Sequence, residues 1–543
     1  MVARTKNYFF LLVAVMVLYL PGIFLLPALD RDETWYAEVT KEMLDEEDYF
    51  SLKFCRYKPI ASYWARIITI KALNLESPYP LWAYRLPSVL ATMLSVFLVF
   101  NFIQKRVSRN YAIWASLGLA TSFSLVSVSQ VATTDALLLL TIVLMQFSLY
   151  SIYNRYLAQQ ENLREIFSFW FWMFIGALIK GPVAPLVGFG TILALISYHR
   201  SFALLKSLKL FHFMIAGILA LIGYVALFGM DFINFAIEMY YADIHPKITT
   251  IQQSHGGFIG YFTLFAFITF WPISLLLPAA VMLVIKNRID LLKSPLVIFL
   301  LSWIIPTWIV FELAPTKLPH YTLPTYPAMV ILITYLLEKF ALKQWPKVLI
   351  ICGGVLATIL PIALLFTGYF VNKYLGYQIP LYQRYLLDIA GILSLYCIFK
   401  TIKQTSLNYL KLLLINAIFI STFTLTLLIP QIDGLWVARN VKEAIQQDYP
   451  AIIPANIAVI NFSEPSIVFE LSNKISFLHN EQAVSWLREK KEEAAIIVNE
   501  YNAAAFEELL SRDDIKISQT RELAGFNYSK GKKIKLIIYY FGK

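Results

Sequence analysis

Long apolar runs separated by short polar connections dominate the chain as far as Pro430. Taking roughly 20 apolar residues as one bilayer crossing, we read about thirteen transmembrane helices, near 8–29, 82–104, 111–130, 134–153, 165–179, 182–198, 210–230, 259–285, 295–312, 322–339, 347–368, 384–400 and 410–429. The connections fall into two sets. One carries the cations, among them Arg4 and Lys6, Lys105, Arg106 and Arg109, Arg155 and Arg164, Lys206 and Lys209, Lys286 and Arg288, Lys339 and Lys343, and Lys400, Lys403 and Lys411. Span parity puts them all on the side of the N-terminus, and the positive-inside rule makes that side the cytoplasm.

The other set, which parity places outside, holds the chemistry. Directly after Leu29 the chain reads DRDETWYAEVTKEMLDEEDYFSLKFCRYKPIASYW, with Asp30, Asp32 and Glu33 within four residues at a membrane surface. Charges there are costly unless solvated, paired or used. Trp35, Tyr36, Val39 and Met43 recur at helical spacing and predict an amphipathic helix over about 31–46 lying in the interface. A capping box of Asp30 and Glu33, with Asp32 favouring the first turn, is the competing explanation of the acids. Lys58 precedes Pro59, which permits a second short helix over about 59–73 with the ammonium at its mouth. A lysine that merely snorkels to the interface is its alternative.

Two tight outer turns, at Thr133 to Asp135 and at Lys180 to Pro182, bring a carboxylate and a cation between apolar helices, where polar groups tend to line cavities. Asp135 as a helix cap is the plainer reading. A third interfacial helix is expected over about 231–245, and the segment ELAPTKLPHY gathers Glu312, Lys317, His320 and Tyr321 between prolines that stiffen it. His245 and His255 invite a divalent metal, although their spacing matches no compact ligand motif, so no cofactor is assigned.

Composition agrees with this pattern. At 58% hydrophobic and 15% charged, the chain exceeds the apolar share of a soluble protein. Its net charge of +11 is accounted for by the basic connections and calls for no nucleic-acid partner. Cys55, Cys352 and Cys397 form no disulfide framework. The first apolar run is too long for a cleaved signal and reads as a retained span. From Gln431 to Lys543 the spans stop, and short apolar strands (NIAVINF, AAIIVNE, KIKLIIYYF) alternate with helical stretches (EQAVSWLREKKEEA, NAAAFEELLSRD). The fold class is therefore a polytopic α-helical membrane protein, 1–430, followed by a soluble extracytoplasmic α/β domain, 431–543.

An acidic cluster opening an amphipathic helix after the first span, a Lys-Pro opening the next, and the segments VATTDALLLL, ALIKGPVAPL and TKLPHYTLPTYP resemble a known family. These are the GT-C glycosyltransferases that use polyprenyl-phosphate sugars, with aminoarabinose transferases acting on lipid A and protein O-mannosyltransferases as the nearest likeness. The resemblance implies transfer of a sugar from a polyprenyl (undecaprenyl) phosphate donor to an extracytoplasmic acceptor, which is lipid A, another envelope glycan or protein, in a bacterial inner membrane. It implies Asp32 and Glu33 as catalytic residues, Asp32 the base; Lys58, Lys180 and Lys317 as donor-phosphate ligands; and Asp30, Tyr57, Asp135, His320 and Tyr321 as substrate contacts. The chain departs from the aminoarabinose transferases at Thr34-Trp35 and at Tyr57-Lys58-Pro59, which leaves the particular sugar and any metal open. Its main rival is a lipid or solute transporter, which internal repeats and polar midplane groups would mark. No convincing repeat is present.

Overall fold

The structure, a computed structural model, describes residues 2–51, 58–228, 230–251, 256–490, 493–528 and 530–542, so Tyr57 and His255 lie outside the described residues. It divides into two compact units. The larger comprises Met1–Ile23, Val39–Leu364 and Asp388–Thr422; the smaller comprises Phe24–Glu38, Leu365–Leu387 and Phe423–Lys543.

Seven helices among the described residues are long and apolar enough to cross a membrane: Lys6–Leu25, Leu81–Arg106, Asp135–Leu157, Pro295–Leu313, Lys347–Leu365, Leu381–Gln404 and Leu407–Gln431. The pair Ala112–Ala120 and Phe123–Ser129, bent by 63°, adds an eighth if it is one span. The count of thirteen is therefore not reached by length and composition. The remaining expected spans coincide with helices that are short, interrupted or charged. The run near 259–285 is divided at Trp271-Pro272 and Pro278 into Tyr261–Thr269, Ile273–Leu276 and Leu277–Lys286. Leu163–Lys180 carries Arg164, Glu165 and Lys180 within its 18 residues.

Within the larger unit the apolar helices are tied by the few polar side chains they bury, as a medium without water requires. The Tyr19 hydroxyl donates to the Ala120 carbonyl at 2.7 Å, and the Gln130 amide donates to the Leu18 carbonyl at 2.8 Å. Asn416 donates to Ser394 Oγ and to the Ala390 carbonyl, both at 2.8 Å. Close backbone approach does the rest: a side chain begun at Gly353 would stand 2.1 Å from the Leu275 carbonyl oxygen.

The smaller unit contains a five-stranded sheet of β1 Ile457–Ile460, β2 Ser476–Leu478, β3 Ala494–Asn499, β4 Gln519–Asn527 and β5 Lys532–Phe541. Its order is β2-β1-β3-β5-β4, with β1 parallel to β2 and β3, and β5 antiparallel to β3 and β4. The period-2 alternation of a strand sends Val459, Ile497 and Ile538 to one face, against Val441 and Ile445 of the helix Val437–Asp448. It sends Ile460, Ile496 and Tyr539 to the other, against Phe506 and Leu510. Both faces are covered, which explains why β1 and β3 read as continuous apolar runs.

The boundary expected at Pro430 differs from the packing. The unit starts at Phe423 and includes residues 24–38 and 365–387 because side chains from both segments bond to it; Gln383 Nε2 donates to Gln431 Oε1 at 2.9 Å.

The close approach at Gly353 predicts that Gly353→Ala lowers stability by about 1–3 kcal/mol, since the backbone must move to admit a methyl group. Gly217 has nothing within 4 Å of the corresponding position. Gly217→Ala is expected to be neutral or to stabilise its helix by up to about 1 kcal/mol. Thermal unfolding of the two purified variants beside the parent checks the sign of each.

Candidate functional site

In the larger unit, a helical hairpin builds the first part of the site. Helix Asp135–Leu157 is joined by five residues to Leu163–Lys180, so the first residue of one meets the last of the other. Lys180 Nζ lies 2.6 Å from Asp135 Oδ1. Each charge also sits at the helix end whose dipole favours it, the acid at an N-terminus and the cation at a C-terminus. Gly181 follows at φ 59°, the left-handed turn that lets Pro182 start the next helix.

The stiff turn Pro319–Thr325 brings in two more residues. His320 Nε2 is 3.7 Å from Asp135 Oδ1, and the Lys180 ammonium stands 5.6 Å from the centre of the Tyr321 ring. Four residues nominated from three separate stretches of sequence thus meet at one place. Asp135 is 14% exposed and both Lys180 and His320 are 28% exposed, enough for a ligand to reach them.

Lys58 stands at the start of the helix Ala61–Ala72, and its Nζ is 2.6 Å from Asp243 Oδ1, each about one quarter exposed. Ile244, beside that acid, packs 3.8 Å from the position where a side chain on Gly181 would begin. The helix after Lys58 is fastened to the Asp135 turn by Arg66, which is buried and donates to the Ala132 carbonyl at 2.8 Å and the Thr133 carbonyl at 3.2 Å. Asp243 and Arg66 escaped the sequence reading. The signal for Arg66 was present, a lone cation in the middle of the apolar helix ASYWARIITIKA.

Lys317 lies in a different setting from Lys58 and Lys180. Nominated as a phosphate ligand, it is only 4% exposed and its ammonium donates to the Glu312 carbonyl and lies 4.0 Å from the Glu312 carboxylate. Glu312 in turn accepts from the Gly260 N–H at 2.7 Å. Lys317 is a strut between two loops, with its charge already committed. Of the metal candidates, His245 packs against the rings of Tyr240 and Tyr241, and among the described residues no three His, Cys, Asp or Glu side chains converge as ligands.

In the smaller unit, the acidic cluster separates into three environments. Asp32 is the first residue of the helix Asp32–Asp45, is exposed, and has no hydrogen-bond or ion-pair partner among the described residues. Glu33 is 1% exposed and accepts from the Leu29 N–H at 2.9 Å, so it reaches back to Leu29 rather than closing a capping box with Asp30. Asp30, nominated as a substrate contact, is seated on the C-terminal sheet domain. Its N–H donates to the Tyr528 hydroxyl at 2.6 Å, while Arg31 lies 3.7 Å from Glu464 and Lys530 3.2 Å from the same carboxylate. Burial pushes the Asp30 carboxyl up to about 6; the Ser466 hydroxyl opposes this, Glu464 adds to it, and Arg31 and Lys530 oppose it.

Three comparisons bear on this geometry. A family model described as dolichyl-phosphate-mannose-protein mannosyltransferase matches residues 58–227, the stretch that carries Lys58, Asp135 and Lys180. The undecaprenyl phosphate-alpha-4-amino-4-deoxy-L-arabinose arabinosyl transferase of Yersinia enterocolitica is 25% identical over 359 residues, 63% of this chain and 62% of the relative. That of Aeromonas hydrophila is 26% identical over 318 residues, 56% of this chain and 55% of the relative. The chain thus spans less than two thirds of the length of these curated relatives. Among solved structures, ArnT from Cupriavidus metallidurans bound to undecaprenyl phosphate superposes with a TM-score of 0.71 over 98% of both chains at 15% identity, which shows the fold.

The Asp30 environment yields a prediction whose sign follows from linkage. The folded state holds the Asp30 proton up to about pH 6, whereas an unfolded aspartate releases it near pH 4. Its contribution to stability is therefore fully present below about pH 4 and is lost as pH rises through 6. Asp30→Asn should accordingly stabilise the protein by about 1–3 kcal/mol at pH 7.5 and change little at pH 4.5. Unfolding temperatures of both proteins at the two pH values test this; equal shifts at both would show that the effect is not ionisation.

Proposed function

We propose that this chain, which resembles the aminoarabinose transferases and protein mannosyltransferases of the GT-C class in sequence and shares the fold, is a membrane glycosyltransferase moving a sugar from a polyprenyl phosphate to an extracytoplasmic acceptor. The observation that carries the reading is the convergence of Lys180, Asp135, His320 and Tyr321, with Lys58 held by a carboxylate of its own. Both lysines are about one quarter exposed, so their carboxylate pairing is solvent-screened and can be exchanged for a phosphate. None of the comparisons supports transport.

In the proposed reaction the acceptor hydroxyl oxygen bonds to the anomeric carbon as the bond from that carbon to the phosphate oxygen breaks. The electron pair leaves with the polyprenyl phosphate. Lys58 and Lys180 are assigned to stabilise the negative charge that grows on the leaving phosphate; the base that takes the acceptor's proton is assigned to Asp32 on the resemblance alone. Asp135, His320 and Tyr321 orient the sugar, with Asp135 also holding Lys180 in place. The polyprenyl tail lies among the spans with membrane lipids around it. The bacterial relatives support an inner membrane, and the positive-inside pattern supports an N-terminus in the cytoplasm and a C-terminal domain outside. Lipid A, another lipid-linked glycan and protein all supply the required hydroxyl, and no step is routed through a metal.

Transfer from a short-chain polyprenyl-phosphate sugar, normalised to monodisperse protein, tests the assignments. Lys58→Ala should lose on the order of 2–4 kcal/mol of transition-state stabilisation, about thirtyfold to a thousandfold in rate. Lys58→Arg should recover only part of it, because a planar fork replaces a compact charge beside Pro59. Equal rates for Lys, Arg and Ala would reduce Lys58 to an interface anchor.

Asp32→Asn should abolish transfer while the protein inserts and unfolds as the parent does. Parental turnover by that variant would return Asp32 to a helix-start role, and the base would have to be sought elsewhere.

A further inference from the structure

A second anion-binding arrangement lies in the larger unit, at the other end of two elements that form the Asp135 site. The bent pair Ala112–Ala120 and Phe123–Ser129 has the Asp135 turn after its last residue, and the helix Tyr326–Lys339 has His320 and Tyr321 before its first. At the opposite ends of both, Tyr111, Trp114 and Thr334 line a crevice with Ile273, Leu407 and Lys411. It is a shallow, open-sided crevice, and apart from Lys411 its walls are almost wholly apolar.

The cation there is unusually placed. Lys411 stands 5.4 Å from the centre of the Trp114 ring, is half-buried, and has no carboxylate partner among the described residues. Compare Lys58 and Lys180, each resting on an aspartate. The three connections that lead into the crevice are the basic ones: Lys105, Arg106 and Arg109 precede Tyr111, Lys339, Lys343 and Lys347 follow Thr334, and Lys400 and Lys403 precede Leu407. Trp114 and Tyr111 are the residue types that settle at the headgroup level of a bilayer.

We infer that this crevice binds one acyl chain of an anionic glycerophospholipid of the bilayer, with the lipid phosphate paired to Lys411 beside Trp114. An apolar slot needs a hydrocarbon, which a free phosphate ion lacks. Lys411, which has no carboxylate beside it among the described residues, favours a net negative headgroup, which a zwitterionic lipid does not offer, whereas Lys339 is already paired with Asp290. The inference does not rest on the transferase reading, since it concerns the opposite ends of the helices.

Native mass spectrometry of the full-length protein, delipidated and titrated with phosphatidylglycerol, with phosphatidylethanolamine or with a polyprenyl phosphate, reads the outcome directly. The first phosphatidylglycerol should bind about fivefold more tightly than the first phosphatidylethanolamine, the worth of one lysine at an anionic headgroup. Lys411→Gln should erase that preference, and Thr334→Trp should remove the bound equivalent by filling the slot. Should the tryptophan variant fail to fold, the glutamine variant carries the test alone. Equal binding of the two phospholipids by the parent overturns the inference. So does a Lys411→Gln variant that loses polyprenyl phosphate while keeping phosphatidylglycerol, since that would make the crevice a second site for the carrier.

Discussion

The contact between Asp135 and Lys180 fixes the larger unit's polar architecture. A charge among apolar helices is costly alone, and pairing removes most of that cost only if both partners are positioned before they are desolvated. The hairpin supplies this positioning from topology, because two helices joined by a short loop must bring their free ends together. Once the pair is set, the helix dipoles favour it and the prolines at 319 and 324 can hold His320 and Tyr321 beside it. Arg66 extends the same logic by using its fork on the carbonyls of Ala132 and Thr133, so the turn that aims Asp135 is itself hydrogen-bonded.

The smaller unit shows a charged hub of another kind. Glu464 is only 4% exposed and accepts a hydrogen bond from Asn527 Nδ2 at 2.8 Å, with Lys530 and Arg31 close by. One carboxylate with several donors is a stable arrangement, and two of those donors lie at the β4–β5 turn while Arg31 lies some 430 positions earlier in the chain. The segment carrying Asp32 is thereby anchored on both sides of Asp30. An exposed acid two residues from a fixed backbone keeps its direction without forfeiting its access to solvent, which is what a proton acceptor needs.

Much of this was legible in the sequence, and the divisions have physical causes. Apolar runs gave the spans that exceed the bilayer thickness, but run length does not tell a continuous helix from one broken at Pro272 and Pro278, so seven of the thirteen expected spans stand out as long uninterrupted helices among the described residues. Strands β1, β3 and β5 were readable because both faces of the sheet are covered; β2, at three residues, and β4, whose exposed edge carries polar residues, lack that signature. Asp135, Lys180, His320 and Tyr321 stood out as polar groups at apolar helix ends, yet nothing local pointed to their partners. Asp243 lies 185 residues from Lys58, and no periodicity reports a pairing at that distance.

Lys317 and Lys180 look alike in the sequence, each a lysine beside a proline in an outer turn, and the structure separates them by what their removal from a partner would cost. Lys180 and Asp135 are partly exposed, so their attraction is screened and of the order of 1 kcal/mol or less, and a phosphate that brings more charge than a carboxylate can take the lysine at little expense. Lys317 has a side chain only 2% exposed and a partner only 12% exposed. Drawing its ammonium away would strand the Glu312 charge in a poorly solvated place, a penalty of about 3–5 kcal/mol when a buried pair is broken. Lys180 is thus set apart from Lys317 less by its charge or its neighbours in sequence than by a partner that solvent can relieve.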